Sequence, residues 1–156
     1  MAELYSIVYQ PKPSVYEPPY RFLRVPTDSA NLVAGHGIEG DRKAGHNPRR
    51  QINIMSYETL EDLRAEGFKT DPGEMGEQLI VRGLDVMALE PGTQIQLGDE
   101  AVIELTKKRT GCSWFEQIQG MSREGAADRM GMLAMVVQSG VIRVGDPVTV
   151  LQDVRT

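Results

Sequence analysis

The chain has 156 residues, of which 40% are hydrophobic and 25% are charged, and its formal net charge at pH 7 is -5. This length is enough for one domain with its own core, and the negative charge argues against a general nucleic-acid-binding protein. A single cysteine excludes an internal disulfide and a cysteine-clustered metal site, which predicts a reducing, cytoplasmic environment.

Neither a signal peptide nor a membrane span is predicted. The longest apolar run covers residues 132–137, far short of the about 20 residues that a membrane-spanning helix needs. Glu3 lies near the start, and no cationic segment is followed by an apolar one there. We therefore expect a single soluble domain over residues 1–156 with no membrane partner.

The first 50 residues predict two strands and two loops. Leu4–Tyr9 and Tyr20–Val25 have strand composition, and the four prolines between them exclude a helix. Residues 32–50 are rich in glycine, histidine and cations with little periodicity, which predicts a long ordered loop that carries function. Residues 35–40 have the glycine spacing of a dinucleotide-binding fingerprint. The residues that follow cannot form the long helix that would hold a pyrophosphate, so this interpretation is disfavoured.

The rest of the chain predicts short strands separated by turns. A strand over Gln51–Met55 precedes a helix from Tyr57 to about Glu66, for which Ser56 is a suitable N-cap. A second helix is predicted from Ser122 through Arg129. Further strands are predicted over residues 78–81, 93–97, 101–106, 133–138, 141–144 and 147–151. This pattern is typical of a β-rich α+β fold, most simply a barrel-like, mostly antiparallel sheet with two or three covering helices.

Charged residues are unevenly distributed along the acidic chain. Five basic residues fall within residues 42–50, which predicts either a small anion-binding site or a solvated loop. Two carboxylates flank a turn signal in the next segment, Glu74 and Glu77. They could form an acid–base pair or cap a backbone turn, and the turn is favoured for Glu74.

The only cysteine, Cys112, follows the cationic residues Lys107, Lys108 and Arg109. Residues 113–119 predict a short helix, which places the thiol at or just before a helix N-terminus. Unpaired backbone N–H groups and nearby cations stabilise a thiolate there, the form needed for nucleophilic attack and for metal ligation. The alternative from these residues alone is an inert, buried cysteine.

Five motifs occur in an order that resembles the MOSC domain, named for the C-terminal domain of molybdenum cofactor sulfurase. They are Gly37-Ile38-Glu39-Gly40-Asp41-Arg42, Arg50-Gln51, Pro72-Gly73-Glu74-Met75-Gly76-Glu77, Arg109 to Cys112, and Gly140-Val141-Ile142-Arg143-Val144-Gly145-Asp146. The likeness extends from about Leu4 to Leu151. It implies a β-barrel-like α+β fold that binds the molybdenum cofactor, a molybdopterin with a phosphate and a dithiolene-bound metal.

The same resemblance implies roles for individual residues. Cys112 is expected to carry sulfur as a persulfide or to ligate molybdenum, both of which suit a thiolate. The implied cofactor-binding residues are Asp41, Arg42, Arg50, Gly76, Glu77, Lys107 and Arg109. Guanidinium groups bind phosphate in a bidentate way, so the residue types agree with the implied ligand.

The resemblance also implies partners. These are molybdopterin itself and a sulfur donor or an electron-transfer protein, and no nucleic acid. Pyridoxal phosphate is not expected in this chain, because the full sulfurase uses it in a separate domain. The chain differs from the common family pattern in having Lys43 in place of His, Gln78 in place of Asn, and Lys108 and Gly111 in place of prolines that flank the Arg.

Three other functions remain open on the sequence. Some family members reduce N-hydroxylated compounds, so a molybdenum-dependent oxidoreductase with an external electron donor is the second hypothesis. The third is a non-catalytic anion-binding or interaction domain with an inert Cys112. A zinc hydrolase built on His36, Asp41 and His46 is the least favoured, because the two histidines lack helical spacing.

Overall fold

The structure is a computed structural model that describes residues 2–11, 16–17, 21–22, 24–110, 115–116 and 119–152. Cys112 and the start of the helix predicted over residues 113–119 lie outside the described residues. The three described residues of that predicted helix, Phe115, Glu116 and Gln119, have helical backbone.

Short strands account for most of the regular structure within these ranges. The strands are β1 (Glu3–Tyr9), β2 (Tyr16–Glu17), β3 (Arg21–Phe22), β4 (Val25–Thr27), β5 (Ser29–Val33), β6 (Gly37–Ile38), β7 (Ile52–Ser56), β8 (Leu79–Arg82), β9 (Gln94–Leu97), β10 (Ala101–Lys108), β11 (Met132–Gln138), β12 (Gly140–Arg143) and β13 (Val148–Gln152). The helical elements are α1 (Tyr57–Ala65) and the 3₁₀ helices η1 (Val86–Ala88) and η2 (Arg123–Ala126). No helix in the described ranges is both long enough and apolar enough to span a membrane.

Eight strands form one curved sheet in the order β13-β9-β10-β11-β7-β8-β1-β4. Every neighbouring pair is antiparallel except β7 and β8, which are parallel. The start of β1 reaches the segment before β13, because Leu4 N donates to Asp146 O at 2.9 Å and Glu3 forms a bridge with Pro147. The β13 edge of the sheet therefore approaches β1, the strand next to the opposite edge, as in a barrel, without pairing along a whole strand.

Two apolar clusters form the core. The larger lies within the curved sheet and includes Ile54, Ile103 and Leu105, which are fully buried. The smaller lies under α1, where Leu60 and Leu63 of the helix pack with residues such as Phe68. Strand β7 is buried along its whole length because it contributes to both clusters. Three of its five residues are accordingly large and apolar: Ile52, Ile54 and Met55.

The predicted β-rich α+β fold with a barrel-like, mostly antiparallel sheet is confirmed. The hairpin predicted at Gly98-Asp99 joins β9 to β10. Ser56 occupies the N-cap position of α1, but its hydroxyl makes no capping bond. It donates instead to Leu84 O at 2.6 Å and accepts from Val86 N at 2.9 Å, so it holds the chain that leaves β8.

Three local predictions are wrong. Of the strand predicted over residues 20–25, Tyr20 and Leu23 lie outside the described residues and Arg24 is not in a strand. Pro26, which was expected to end it, lies inside β4, an edge strand where its missing N–H is tolerated. Strand β6 and the end of β5 lie in the region predicted as loop. The helix predicted over residues 122–129 is limited to η2, since Gly125 weakens it and Asp128 adopts a positive φ of 66°.

Candidate functional site

A cavity of about 410 Å³ lies where β7, β10 and β11 meet the loop that precedes β7. Its described lining residues are Arg42, Lys43, His46, Asn47, Arg50, Ile52, Asn53, Arg109 and Leu133. Leu133 of β11 pairs with Asn53 of β7 on one side and with Lys107 of β10 on the other, so these strands are adjacent at the cavity. Loop and sheet thus contribute to one site.

The lining is strongly cationic. Arg42, Lys43, Arg50 and Arg109 contribute four positive charges, and none of the described lining residues is acidic. A concave surface with one sign of charge concentrates ions of the opposite sign. The cavity therefore has the electrostatic character of an anion-binding site, although the whole chain carries a net charge of -5.

Asp41 fixes the start of the loop that carries most of these cations. Its side chain is only 1% exposed. Oδ1 accepts from Gln10 N at 2.8 Å, and Oδ2 accepts from Gln78 Nε2 at 3.2 Å and Lys43 N at 3.3 Å. The carboxylate therefore joins the loop to the chain that leaves β1 and to the residue before β8.

The end of the same loop is fixed by buried polar groups of the sheet. Gln51 Oε1 accepts from Val136 N at 2.8 Å, while its Nε2 donates to Pro48 O at 3.1 Å. The hydroxyl of Thr106 on β10 donates to Arg49 O at 2.7 Å. With both ends held, the loop presents its basic side chains to the cavity from a defined backbone.

Arg109 reaches the cavity from the end of β10 and is anchored at both its backbone and its guanidinium. Its N–H donates to Gly131 O at 2.9 Å, and Nη1 donates to the carbonyls of Met75 and Met130. Gly76 has a φ of 89°, and a Cβ there would lie 2.9 Å from Arg109 Cζ. A glycine at position 76 thus leaves the space that the guanidinium occupies.

Glu77, which directly follows Gly76, is fully buried. Its Oε2 accepts from Gly73 N at 2.8 Å, whereas its Oε1 has no hydrogen-bond partner among the described residues. Burial raises the pKa of Glu77 to about 7, against the opposing effect of backbone N–H donors and of the charges of Arg24 and Arg109. Glu74 accepts from Asp71 N at 3.1 Å. Both carboxyl groups therefore bind N–H groups of one turn.

Lys43 has a similarly perturbed environment. Burial and the positive charges of Arg24 and Arg109 lower the pKa of its ammonium to about 8, and Arg50 acts in the same direction. Asp41 opposes this shift. A substantial fraction of Lys43 is therefore neutral near pH 8, where an ordinary lysine is charged.

The structure brings three of the sequence-predicted site residues to the cavity wall: Arg42, Arg50 and Arg109. Asp41, Gly76 and Glu77 are not among the described lining residues; they lie in the segments that hold the wall. Lys107 is exposed on β10 and is also absent from that lining. Cys112 lies outside the described residues, so its role stays a prediction.

Lys43 and His46 of the lining belong to the basic cluster predicted within residues 42–50, whereas Asn53 was not predicted. It is 1% exposed, and its Oδ1 has no hydrogen-bond partner among the described residues. A polar residue between the two apolar residues Ile52 and Ile54 of β7 is the sequence feature that could have indicated it. No group of three His, Cys, Asp or Glu side chains within the described ranges is arranged to hold a metal.

Stability is expected to depend on pH through Glu77. Its pKa is about 7 when folded and 4.5 as an ordinary glutamate, so the folded chain binds more protons between these values. The stability that this extra proton binding provides is complete below about pH 4.5 and is lost as the pH rises through 7, by about 3 kcal/mol in total. The free energy of unfolding of Glu77→Gln, measured with urea across this pH range, should not show that loss. Glu74→Gln should retain it, and an equal pH dependence in wild type and Glu77→Gln would contradict the assignment.

Comparisons with known proteins agree with this fold. Residues 41–149, well over half of the chain, match the model of the MOSC domain. YiiM from Geobacillus stearothermophilus has a similar structure, with a TM-score of 0.74 at 17% identity over 97% of this chain and 76% of that chain. The YuaD protein from Bacillus subtilis gives 0.70 at 19% identity over 95% and 97% of the two chains.

YiiM from Escherichia coli is also similar, with a TM-score of 0.66 at 20% identity over 97% of this chain and 71% of that chain. At such identities these likenesses show the fold. No curated protein matches the chain significantly. Because the domain model covers both the cationic loop and the strands that frame the cavity, the chain belongs to the MOSC domain family.

Proposed function

We propose that this chain binds the molybdenum cofactor in the cationic cavity and that Cys112 carries sulfur or ligates molybdenum. The MOSC domain family is associated with molybdenum cofactor binding. The observation that supports the proposal most strongly is the cavity wall of four cations without a carboxylate among its described residues. Arg109 belongs to this wall and lies three residues before Cys112 in the chain.

The side chains present fit the chemistry of a molybdopterin. Guanidinium groups are the side chains best suited to a phosphate, and those of Arg42, Arg50 and Arg109 belong to the cavity lining. Asn53 offers a buried carbonyl oxygen that has no partner among the described residues and can accept from an N–H of a heterocycle. Buried polar atoms without a partner are uncommon and indicate a binding role here.

The residues of this chain would bind and orient the ligand. Arg109 is held by backbone carbonyls on two sides, so little side-chain entropy remains to be lost when it binds an anion. The cations that precede Cys112 favour its thiolate, the form that can carry a sulfur atom or ligate a metal. The cofactor, when bound, supplies the redox and atom-transfer chemistry of molybdenum.

The first test is the molybdenum and pterin content of protein purified from a host that makes the cofactor. Wild type should carry both, and Cys112→Ser should lose molybdenum while its circular dichroism is unchanged. If wild type lacks the metal, a persulfide on Cys112 detected by mass spectrometry would support the carrier role. Absence of metal, pterin and persulfide from wild type would contradict the proposal.

The anion-binding part is tested separately with Arg50→Ala. Loss of one charge-assisted hydrogen bond of about 1.5–3 kcal/mol should weaken cofactor retention at least about tenfold. The matched control is Arg82→Ala, because Arg82 is exposed and pairs with Glu3 away from the cavity. Equal retention by the two variants would contradict a role of this cavity. If wild type does retain molybdenum, reduction of N-hydroxylated compounds with an added electron donor is the activity to assay next.

A further inference from the structure

Lys43 differs from the other cations of the cavity wall because it can lose its charge under mild conditions. It is half-buried and lines the cavity. Its ammonium has no acidic partner within hydrogen-bonding distance among the described residues, whose three ion pairs all lie elsewhere. Only its backbone N–H bonds the nearby carboxylate, Asp41 Oδ2 at 3.3 Å.

The charges that surround Lys43 disfavour its protonated form. Arg24 and Arg109 approach it from other segments of the chain, Arg50 lies at the far end of its own loop, and all three lower the pKa of its ammonium. Arg42 and His46 of the same loop also line the cavity. Asp41 is the one charge that acts in the opposite direction. A lysine amine in a partly buried, cationic pocket is the usual setting of a nucleophilic lysine.

We propose that Lys43 is a nucleophilic lysine that forms an imine with small carbonyl compounds bearing an acidic group, which the guanidinium groups of the same cavity bind. Arg50 is suited to the carboxylate of such a compound, because a guanidinium can donate two parallel hydrogen bonds, and Arg109 adds a second positive charge to the cavity wall. The cavity of about 410 Å³ has room for a ligand of this size beside the amine. Neither Cys112 nor a metal takes part, so this reactivity goes beyond cofactor binding.

The reaction needs no oxidant or reductant. The neutral Nζ adds to the carbonyl carbon and forms a C–N bond, and proton transfer from nitrogen to oxygen gives a carbinolamine. Loss of the oxygen as water then leaves a C=N bond between Lys43 and the compound. Addition of cyanoborohydride supplies a hydride that converts this imine into a stable secondary amine, which marks the residue permanently.

The test uses glyoxylate as the anionic carbonyl compound, with cyanoborohydride and peptide mapping by mass spectrometry. At pH 7.5 an amine with a pKa of about 8 is about one quarter neutral, whereas an amine at the ordinary 10.5 is neutral in about one molecule per thousand. Lys43 should therefore be labelled at least ten times faster than the exposed Lys107 and Lys108 of the same molecule. Its labelling rate should rise with a midpoint near pH 8.

Charge selectivity separates this site from a merely accessible amine. Acetaldehyde, which has no acidic group, should label Lys43 more slowly than glyoxylate, and Arg50→Ala should reduce that difference several-fold. Lys43→Arg should remove this label alone and leave the folded spectrum unchanged. Equal rates at Lys43 and Lys107, a midpoint near 10.5, or no preference for glyoxylate would each overturn the proposal. Wild type purified from a host that does not make the cofactor should show the same labelling of Lys43, so failure of the cofactor proposal leaves this result interpretable.

Discussion

Replacement of Asp41 by alanine is expected to reduce the free energy of unfolding by about 3–5 kcal/mol, because each hydrogen bond to a charged group contributes about 1.5–3 kcal/mol and Asp41 accepts two buried ones. The substitution removes three hydrogen bonds: Gln10 N and Lys43 N are left without an acceptor, and Gln78 Nε2 retains only its bond to Gln51 O. Two of these bonds are buried, so water cannot readily replace the carboxylate. The loop that carries Arg42 and Arg50 would lose its anchor, and we also expect anion binding in the cavity to be lost.

Asp71→Ala is the matched control for this prediction. Asp71 is also a loop aspartate, but its side chain is exposed and pairs with Arg64 at 3.1 Å. Exposed ion pairs of this kind contribute about 0–1 kcal/mol, so its loss should be small. Urea unfolding and calorimetric titration with pyrophosphate measure the two effects. If both variants lost similar stability, the buried network around Asp41 would not have the importance that we assign to it.

Gly76→Ala is expected to have the second-largest effect, because it combines two penalties. Its φ of 89° is strained for alanine and costs about 1–3 kcal/mol. The new Cβ would also contact the guanidinium of Arg109, with Cζ at only 2.9 Å. Arg109 must then move away from the carbonyls of Met75 and Met130, which should weaken anion binding at least about tenfold, as for the loss of one charge-assisted bond.

The control for the backbone penalty is Gly145→Ala. Gly145 has a φ of 96°, and a Cβ there would meet no atom within 4 Å. It lies beside the start of β1, where its N–H donates to Leu4 O, and it does not line the cavity. This variant should lose stability but bind pyrophosphate as wild type does. Equal binding by Gly76→Ala and Gly145→Ala would show that Arg109 tolerates the extra carbon.

The sequence predicts the strands from β7 onward better than the earlier ones, because burial imposes a regular apolar pattern on them. From β7 to β13 the apolar residues that enter the core fall in short runs between turn residues, and the predicted strands agree with the observed ones within one or two residues, β10 being extended to Lys108. Strand β5 could not be anticipated, because Ser29–Val33 pairs with β12, which lies more than 100 residues later. Its residues have no strong strand composition, and the pairing is purely tertiary.

The candidate site was only partly predictable, for a similar reason. Local charge density indicated Arg42 and Arg50, and a family resemblance added Arg109. The use of Asp41 and Glu77 as buried acceptors depends on N–H groups that the fold brings to them, for which linear spacing gives no signal. The lowered pKa of Lys43 likewise arises from burial and from the charges of Arg24 and Arg109, which approach it only in the folded state.

The bonds that shape the cavity join residues remote in the chain, which has a consequence for folding kinetics. Asp41 binds a donor 31 residues before it and another 37 residues after it, Thr106 is 57 residues from Arg49, and Val136 is 85 from Gln51. Contacts of such long sequence separation form slowly, since chain entropy is lost before they can compensate for it. A chain that lacks β7, β10 or β11, the strands that border the cavity, has no complete cavity. A ligand of the cavity should therefore slow unfolding while leaving the refolding rate unchanged.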